Sequence, residues 1–215
     1  MSLADNIEVL THSSIRIGGK CILYIDPYQV QSEPHDADII LITHSHYDHY
    51  SPEDIARVRK QDTAIVVPMG MEQEAAAVKG PGSRIYALKP GTIKEIFDIM
   101  IETVPAYNNR KSFHPKKNGW LGYLLHVNGD RIYIAGDTDI TKENQRIQCD
   151  VALVPIGGTY TMDAAEAAKL VNKIKPRIAI PTHYGSVVGT REDEEVFRSH
   201  VASDIKVQIK MQMYA

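Results

Sequence analysis

The sequence predicts an α/β fold of α+β character, with short buried strands and a few capped helices arranged as two related halves. Three observations predict it. Short apolar runs broken by turn residues crowd the first 25 positions. Two helices open on capping residues, Ser51 with Pro52 and Asp163 with Glu166. One strand-to-turn pattern recurs, in Asp38-Ile39-Ile40-Leu41-Ile42-Thr43-His44, in Asp150-Val151-Ala152-Leu153-Val154-Pro155-Ile156 and in Arg177-Ile178-Ala179-Ile180-Pro181-Thr182-His183. Each copy couples a charged residue, an apolar strand and a turn, and two end in Thr-His. This is duplication of a half, not a short-period solenoid.

The elements follow in order. Residues 7–11, 14–17 and 21–25 form a meander, punctuated by His12-Ser13 and Gly18-Gly19-Lys20 and ended by Asp26-Pro27. Residues 39–43 are a buried strand. Ser51 then caps a helix running to about Lys60, with Pro52 in its first turn and Asp54 at the capping-box position. A strand over 63–67, a helix over 72–79 and a strand over 84–88 follow, with Gly80-Pro81-Gly82 between the last two. Residues 93–97 and 99–104 read as a hairpin. Residues 105–119 are polar, aromatic and basic without periodicity, and a loop of that length is usually functional. Strands over 120–127 and 131–135 are joined by Asn128-Gly129, a strong hairpin signal. A strand over 151–155, a helix over 163–175, a strand over 177–181, a helix over 192–201 and a strand over 205–211 complete the chain.

The 215 residues suit one domain, 1–215, large enough to bury about 70% of its unfolded surface. Charged residues make up 24% and hydrophobic residues 43%, an ordinary globular balance. A net charge of −3 gives no reason to expect non-specific nucleic-acid binding. No run approaches the ~18 apolar residues of a membrane span, and no secretory signal is apparent. Cys21 and Cys149 lack zinc-ligand spacing and read as buried thiols. A cytoplasmic enzyme is the default expectation.

The densest chemistry lies in Thr43-His44-Ser45-His46-Tyr47-Asp48-His49, which packs three of nine histidines and a carboxylate into seven residues directly after a buried strand. Alternation along an extended segment lets His44 and His46 point the same way. The following turn brings Asp48 and His49 to a neighbouring point. Two pairs of ligands suggest two metal ions, or one with further groups behind it. Asp137 and His183 are also placed at strand ends, and would converge on the same edge if those strands lie in one sandwich. Imidazole and carboxylate suit zinc, iron, manganese or cobalt. A carboxylate such as Asp137 can bridge two cations and so serve hydrolysis.

These residues carry a resemblance. His44-Ser45-His46-Tyr47-Asp48-His49 is similar to the His-x-His-x-Asp-His signature of the metallo-β-lactamase superfamily. Asp137 in Gly136-Asp137-Thr138 resembles its bridging aspartate, and His183 in Thr182-His183 its last histidine. His12-Ser13-Ser14 with Asp26-Pro27 resembles the branch of ascorbate-6-phosphate lactonase-like and N-acyl-phosphatidylethanolamine phospholipase D-like hydrolases. The resemblance spans nearly the whole chain. It implies a four-layer αββα sandwich and a hydrolase with two divalent metal ions, zinc first, with manganese or iron as alternatives. His44 and His46 would hold the first metal; Asp48, His49 and His183 the second; Asp137 would lie between them.

One position departs from the pattern. The family supplies a third histidine to the first metal after the strand that here ends at Val104, where this chain reads Val104-Pro105-Ala106-Tyr107-Asn108-Asn109. Either Asn108 takes that place, or His114 folds back to fill it, or the first site is loose or empty and the enzyme works with one metal. Tyr107, Asn108, Lys111 and His114 are candidate substrate contacts, with Lys111, Lys116 and Lys117 able to form a basic lid over an anion. Asp48 is a candidate proton relay, His12 a candidate active-site residue, and Tyr184 a candidate oxyanion donor. Asp26 is placed to orient a ligating histidine, or merely to start a turn. His35, His126 and His200 fall in no pattern.

The expected activity is attack by a metal-bound hydroxide on an ester, lactone or phosphodiester of an anionic, even phosphorylated, small molecule. The alternatives are an iron-dependent oxidoreductase, or a sensor or scaffold that keeps the fold. Nucleic acid is a poor fit, because 215 residues leave little room for a gripping arm. An oligomer is compatible with the sequence, and neither its order nor the substrate is readable from it.

Overall fold

Alternation along two adjacent strands decides how the layers stack. Ile40, Ile42, Ile65 and Val67 pack in one apolar cluster, whereas Ile39, Leu41, Ala64 and Val66 pack in another. Successive side chains of a strand point to opposite faces, so this sheet is apolar on both. Such a sheet must be covered on both sides, by helices on one and a second sheet on the other.

The computed structural model describes residues 4–214; positions 1–3 and 215, the ends of the predicted 1–215 domain, lie outside the described residues. The first half comprises β1 (Ile7–Thr11), β2 (Ser14–Ile17), β3 (Leu23–Ile25), β4 (Ala37–Leu41), α1 (Pro52–Val58), β5 (Arg59–Pro68), α2 (Glu72–Val78) and β6 (Ile85–Leu88). The second comprises β7 (Ile93–Ile96), β8 (Ile99–Pro105), β9 (Leu121–Val127), β10 (Asp130–Ile134), β11 (Val151–Pro155), α3 (Ala164–Ile174), β12 (Ile178–Thr182), α4 (Asp193–His200) and β13 (Lys206–Val207). The last strand, β14 (Met211–Met213), returns to the first half.

Two seven-stranded sheets result, ordered β14-β1-β2-β3-β4-β5-β6 and β13-β12-β11-β10-β9-β8-β7. Each begins as an antiparallel meander and ends as parallel strands. Parallel neighbours need a crossover. Helices α1 and α2 supply it between β4, β5 and β6, and α3 and α4 between β11, β12 and β13; the β3–β4 and β10–β11 connections are loops without an α-helix. Ile55, Val58, Ala75 and Val78 of α1 and α2 cover the outer face of the first sheet. Ala167, Ala168, Leu170 and Val171 of α3 join the core with β11 and β12, which are buried along their whole length. The αββα layering expected from the sequence is borne out.

Local chemistry sets the boundaries. Asp163 caps α3 in a reciprocal box: Glu166 N donates to Asp163 Oδ1 at 2.8 Å, and Asp163 N donates to Glu166 Oε2 at 3.1 Å. Replacing such a cap with alanine typically costs about 1 kcal/mol. At α1 the Ser51 hydroxyl accepts from Asp54 N and donates to Asp54 Oδ2 at 2.6 Å, while the buried Asp54 carboxylate also accepts Gln29 N and Val30 N at 2.9 and 2.8 Å. Asp54 therefore pins the loop after β3 rather than closing a box. Helix α1 also stops at Val58, two residues short of the predicted end. Arg59 is already extended and pairs with Ala37, while the Thr63 hydroxyl donates to Ala37 O at 2.7 Å and fills the bulge. The predicted final strand over 205–211 divides, with β13 beside β12 and β14 beside β1. Cys21 and Cys149 are free thiols, half-buried against the core.

Strand direction positions the site. β1, β3, β4 and β5 run parallel in the first sheet, as do β8, β10, β11 and β12 in the second. His12, Asp26, His44, Asp137 and His183 each follow the carboxyl end of one of these strands. Ligands of open α/β sheets gather at that edge.

Candidate metal centre

The site starts from a knot between strand ends. Asp26, after β3, accepts Thr43 N at 2.7 Å and the Thr43 hydroxyl at 2.6 Å. Its Oδ2 also lies 2.7 Å from His49 Nδ1. A buried carboxylate accepts, so His49 Nδ1–H donates and Nε2 is turned inward. Asp26, weighed in the sequence as an orienting group or a turn former, turns the chain at φ 47 and holds the His49 ring by this hydrogen bond.

Asp137 hangs from the end of β10 through Gly136. Gly136 has φ +63, and a Cβ there would lie 2.9 Å from Leu121 O and 3.3 Å from the Thr43 side chain. Only glycine suits both the backbone angle and the close approach. From this hinge Asp137 reaches the centre of the cluster. Its Oδ2 is 3.0 Å from His183 Nε2, 3.2 Å from His114 Nε2 and 3.9 Å from His44 Nε2, and its Oδ1 is 3.3 Å from His49 Nε2.

Donor atoms fall into sets around it. His44, His46 and His114 form one, with His44 Nε2 and His46 Nδ1 3.0 Å apart. Asp48, His49 and His183 form another, joined by His12. His44, His49 and Asp137 link the two. His12 Nε2 lies 3.1 Å from Asp48 Oδ2, and His12 O accepts His183 N at 2.8 Å. His12 and His183 both have positive φ, 50° and 57°, so two strand ends turn sharply to face each other.

The loop after β8 answers what stands in the position without its expected histidine. Asn108 Oδ1 accepts His114 N at 3.1 Å and lies 3.0 Å from His114 Nδ1. An amide oxygen only accepts, so His114 Nδ1 carries a proton and donates it, which leaves Nε2 facing Asp137. Asn108 Nδ2 in turn donates to Asp139 Oδ1 at 3.1 Å and Tyr160 O at 2.9 Å. The structure thus brings His114, not Asn108, to His44 and His46.

Other candidate contacts are engaged elsewhere. The Tyr107 hydroxyl donates to Glu143 Oε2 at 2.8 Å, and Lys116 caps the same ring at 4.6 Å. Lys111 is tied to Thr161 O and Asp139. Tyr184 is fully buried and donates to Glu194 Oε1 at 3.0 Å. Tyr107, Asn108 and Lys111 therefore brace the loop that carries His114. Trp120, which the sequence reading passed over, packs on His44, His46 and His114 at 4.8, 4.9 and 5.5 Å. Its only signal was its place at the edge of β9.

The electrostatics suit a cation. Burial pushes His44 well below the usual imidazole range, leaving it in the neutral form that ligates. Burial lowers His12 to about 4, against the pull of Asp48. His49 goes the other way: burial opposes its charge, but Asp137 and Asp26 hold its ring well above the usual range. Burial likewise opposes ionisation of Asp137, but His183 and His49 hold its carboxyl well below the usual range. Close as they are, these groups lack hydrogen-bond alignment. His49 Nε2, His114 Nε2, His183 Nε2 and Asp137 Oδ1 are buried without a hydrogen bond. Each such atom typically costs about 1–3 kcal/mol. Four in one place, all nitrogen or carboxylate, fit divalent cations.

Comparison with known proteins agrees. Residues 6–183 match the family described as "Beta-lactamase superfamily domain". A "UPF0173 metal-dependent hydrolase" of Pyrococcus furiosus is 33% identical over 216 residues, covering 94% of this chain and 95% of the relative. Another, of Thermococcus onnurineus, is 31% identical over 215 residues, with the same coverage. A crystal structure from Parabacteroides distasonis, designated a metal-dependent hydrolase, superposes with TM-score 0.77 at 32% identity, covering 96% of this chain and 93% of that one. The metallo hydrolase Igni18 of Ignicoccus hospitalis shares the fold, with TM-score 0.74 at 23% identity over 95% of this chain and 94% of its own.

Proposed function

We propose a reaction from one premise: the chain belongs to the metallo-β-lactamase superfamily and, within it, to the UPF0173 metal-dependent hydrolases, and is itself a metal-dependent hydrolase. The reaction is hydrolysis of an ester, lactone or phosphodiester in a small molecule. His44, His46 and His114 would hold one cation; Asp48, His49 and His183 a second; Asp137 would lie between. Zinc is the first candidate, with manganese and iron as alternatives, since nitrogen and carboxylate donors suit all three. When bound, two such ions supply an activated water and positive charge for the oxygen on which negative charge develops.

The observation that carries this reading is the convergence of four unpartnered buried donor atoms, including Asp137 Oδ1, on one point. The chain's own residues do the rest. Asp26 and Asn108 aim His49 and His114. His12 donates to Asp48. Burial works against ionisation of Asp48, but the His12 bond keeps its carboxyl well below the usual range. A carboxylate that stays ionised orients an attacking water by accepting its proton in a hydrogen bond, and relays that proton rather than keeping it. Tyr184 takes no part, because its hydroxyl belongs to Glu194.

Finer points rest on narrower support. His12 and Asp26, which carry the resemblance to the lactonase-like and phospholipase D-like branch, both touch ligand residues, and this favours that branch. One catalytic domain over 1–215 is favoured by a core that both sheets share. Two free thiols favour a reducing, cytoplasmic setting. Among the described residues no helix is long and apolar enough to cross a membrane. The relatives do not favour the iron oxidoreductase alternative. An anionic substrate would find its charge partner at the cations, because Lys111 and Lys116 are paired with Asp139 and Glu143.

The test is metal analysis of protein purified without chelators, followed by turnover on ester, lactone and phosphodiester panels. Two equivalents of metal and turnover removed by chelator are expected. Absence of turnover in metal-loaded protein, or oxygen consumption with two irons bound, would sink the reading.

A further inference from the structure

The motif residue Tyr47 has no place in the metal chemistry, yet it stands 66% exposed between His46 and Asp48. Phe113, immediately before His114, is 45% exposed. Exposed aromatics scattered singly need no explanation, but these two line the same cavity. With Tyr160 and Val187 they wall a cavity of about 200 Å³ whose floor is His46, Asp48, His114 and Asp137. Phe113 stands edge-on to Tyr160 at 4.7 Å and 86°, and Tyr47 packs on Tyr28 at 6.2 Å. The walls are held firmly. Asn108, which aims His114, also binds Tyr160 O, and Lys111 binds Thr161 O beside it.

No lysine or arginine is among the described residues lining this cavity. Among the described residues the charged and imidazole groups lie on the floor, and the walls add only the Tyr47 and Tyr160 hydroxyls. Cavities that hold a drug-sized molecule are about 300–1,000 Å³, whereas an apolar space of about 150 Å³ accommodates one benzene ring. The space between the walls therefore matches one ring in size.

We propose that the cavity between Tyr47, Phe113, Tyr160 and Val187 seats a single uncharged ring, aryl or alicyclic, borne by the ester or lactone that the site cleaves. The proposal rests on the hydrolase reading above and names its substrate class. Negative charge, where the substrate has it, belongs at the reacting group over the floor. The remainder is apolar and no larger than one ring.

Zinc-loaded protein is assayed by acid release on δ-valerolactone, on dihydrocoumarin, which fuses an aryl ring to the same lactone, and on a δ-valerolactone bearing a carboxylate. Each rate is divided by that for alkaline hydrolysis of the same compound. Dihydrocoumarin is expected to lead δ-valerolactone by about tenfold or more in kcat/KM, the scale on which apolar pockets discriminate. Phe113→Ala and Tyr160→Ala should erase that lead, mainly through KM. A lead for the carboxylated lactone, no lead for the ring, or variants that depress both neutral lactones equally would overturn the proposal. If no lactone is cleaved, the hydrolase reading is what is in trouble, and binding decides the pocket separately. By calorimetry on the zinc-loaded protein, 3-phenylpropanoate should bind about tenfold more tightly than propanoate, and Phe113→Ala should remove the difference. Equal binding of the two acids overturns the proposal.

Discussion

Asn108 holds His114 twice, its side-chain oxygen accepting from both the backbone nitrogen of His114 at 3.1 Å and ring Nδ1 at 3.0 Å. This fixes which nitrogen of the ring faces Asp137. An orienting partner of a ligating histidine is typically worth about 10–100-fold in metal affinity or activity. On the proposed two-cation reading, Asn108→Ala should weaken one metal by about that factor and leave the other nearly unchanged. Competition with a chromophoric chelator reads both affinities. Equal weakening of both would mean that Asn108 supports the whole loop rather than one ring.

Asp137 is the group on which the two donor sets converge. Asp137→Asn keeps its size and removes its charge, so it should stay folded, abolish turnover and lower the metal content towards one equivalent. Circular dichroism, elemental analysis and rate measurements check the three parts separately. Full turnover in this variant would exclude a role between two cations.

Much of this arrangement was legible in the chain. Strands follow from short continuous apolar runs such as 39–42, buried on both faces, and helices from caps such as Asp163. The His44 to His49 cluster, Asp137 and His183 are visible because each abuts an apolar strand. His114 was harder, because residues 105–119 have no periodicity and their path is closed by non-local bonds: Asn108 to Tyr160 and Asn109 to Asp139. The same holds for Lys111 and Lys116. Their charges suggest a lid until Asp139 and Glu143, 28 and 27 residues away, claim them. The middle copy of the strand-to-turn pattern, 150–156, ends in Ile156 without a ligand, and its turn supplies Tyr160 to the cavity wall instead.

His12 gives a pH dependence with a definite sign. Its folded pKa is about 4 against an ordinary 6.5, chiefly through burial. Between those values the unfolded chain takes up a proton that the folded protein refuses, so stability falls as pH drops through this window and is unaffected by His12 above it. At about 1.4 kcal/mol per pH unit the full effect is of order 3 kcal/mol. Chelator-treated wild type should lose about 2–3 kcal/mol more than His12→Gln between pH 7 and pH 4.5 in urea titrations. Parallel losses in the two proteins would contradict the assignment.

Gly136 tests the hinge below Asp137. An alanine there is strained at φ +63 and sets its Cβ 2.9 Å from Leu121 O. Gly136→Ala should cost roughly 1–3 kcal/mol, as forced backbone strain does, and reduce metal binding with it. A calorimetric scan with and without zinc measures both. Undiminished stability would show that β9 and β10 yield easily at this point.

Tyr184 separates neighbourhood in sequence from neighbourhood in space. It follows His183, yet His183 has φ 57 and the turn sends the two side chains apart. The Tyr184 hydroxyl meets Glu194 on α4, which Tyr214 also binds, closing the C-terminal strand onto the helix. Burial first, then the neighbouring Tyr214 hydroxyl and the Glu194 carboxylate, push the Tyr184 hydroxyl far above the usual tyrosine range, so it remains a neutral donor at any working pH. Tyr184→Phe deletes that donor but leaves Tyr214 on Glu194. The expected cost is about 1 kcal/mol of stability, the usual net value of one hydrogen bond, with kcat unchanged on whichever substrate the panels reveal. A large loss of kcat at unchanged stability would instead return Tyr184 to the reacting oxygen.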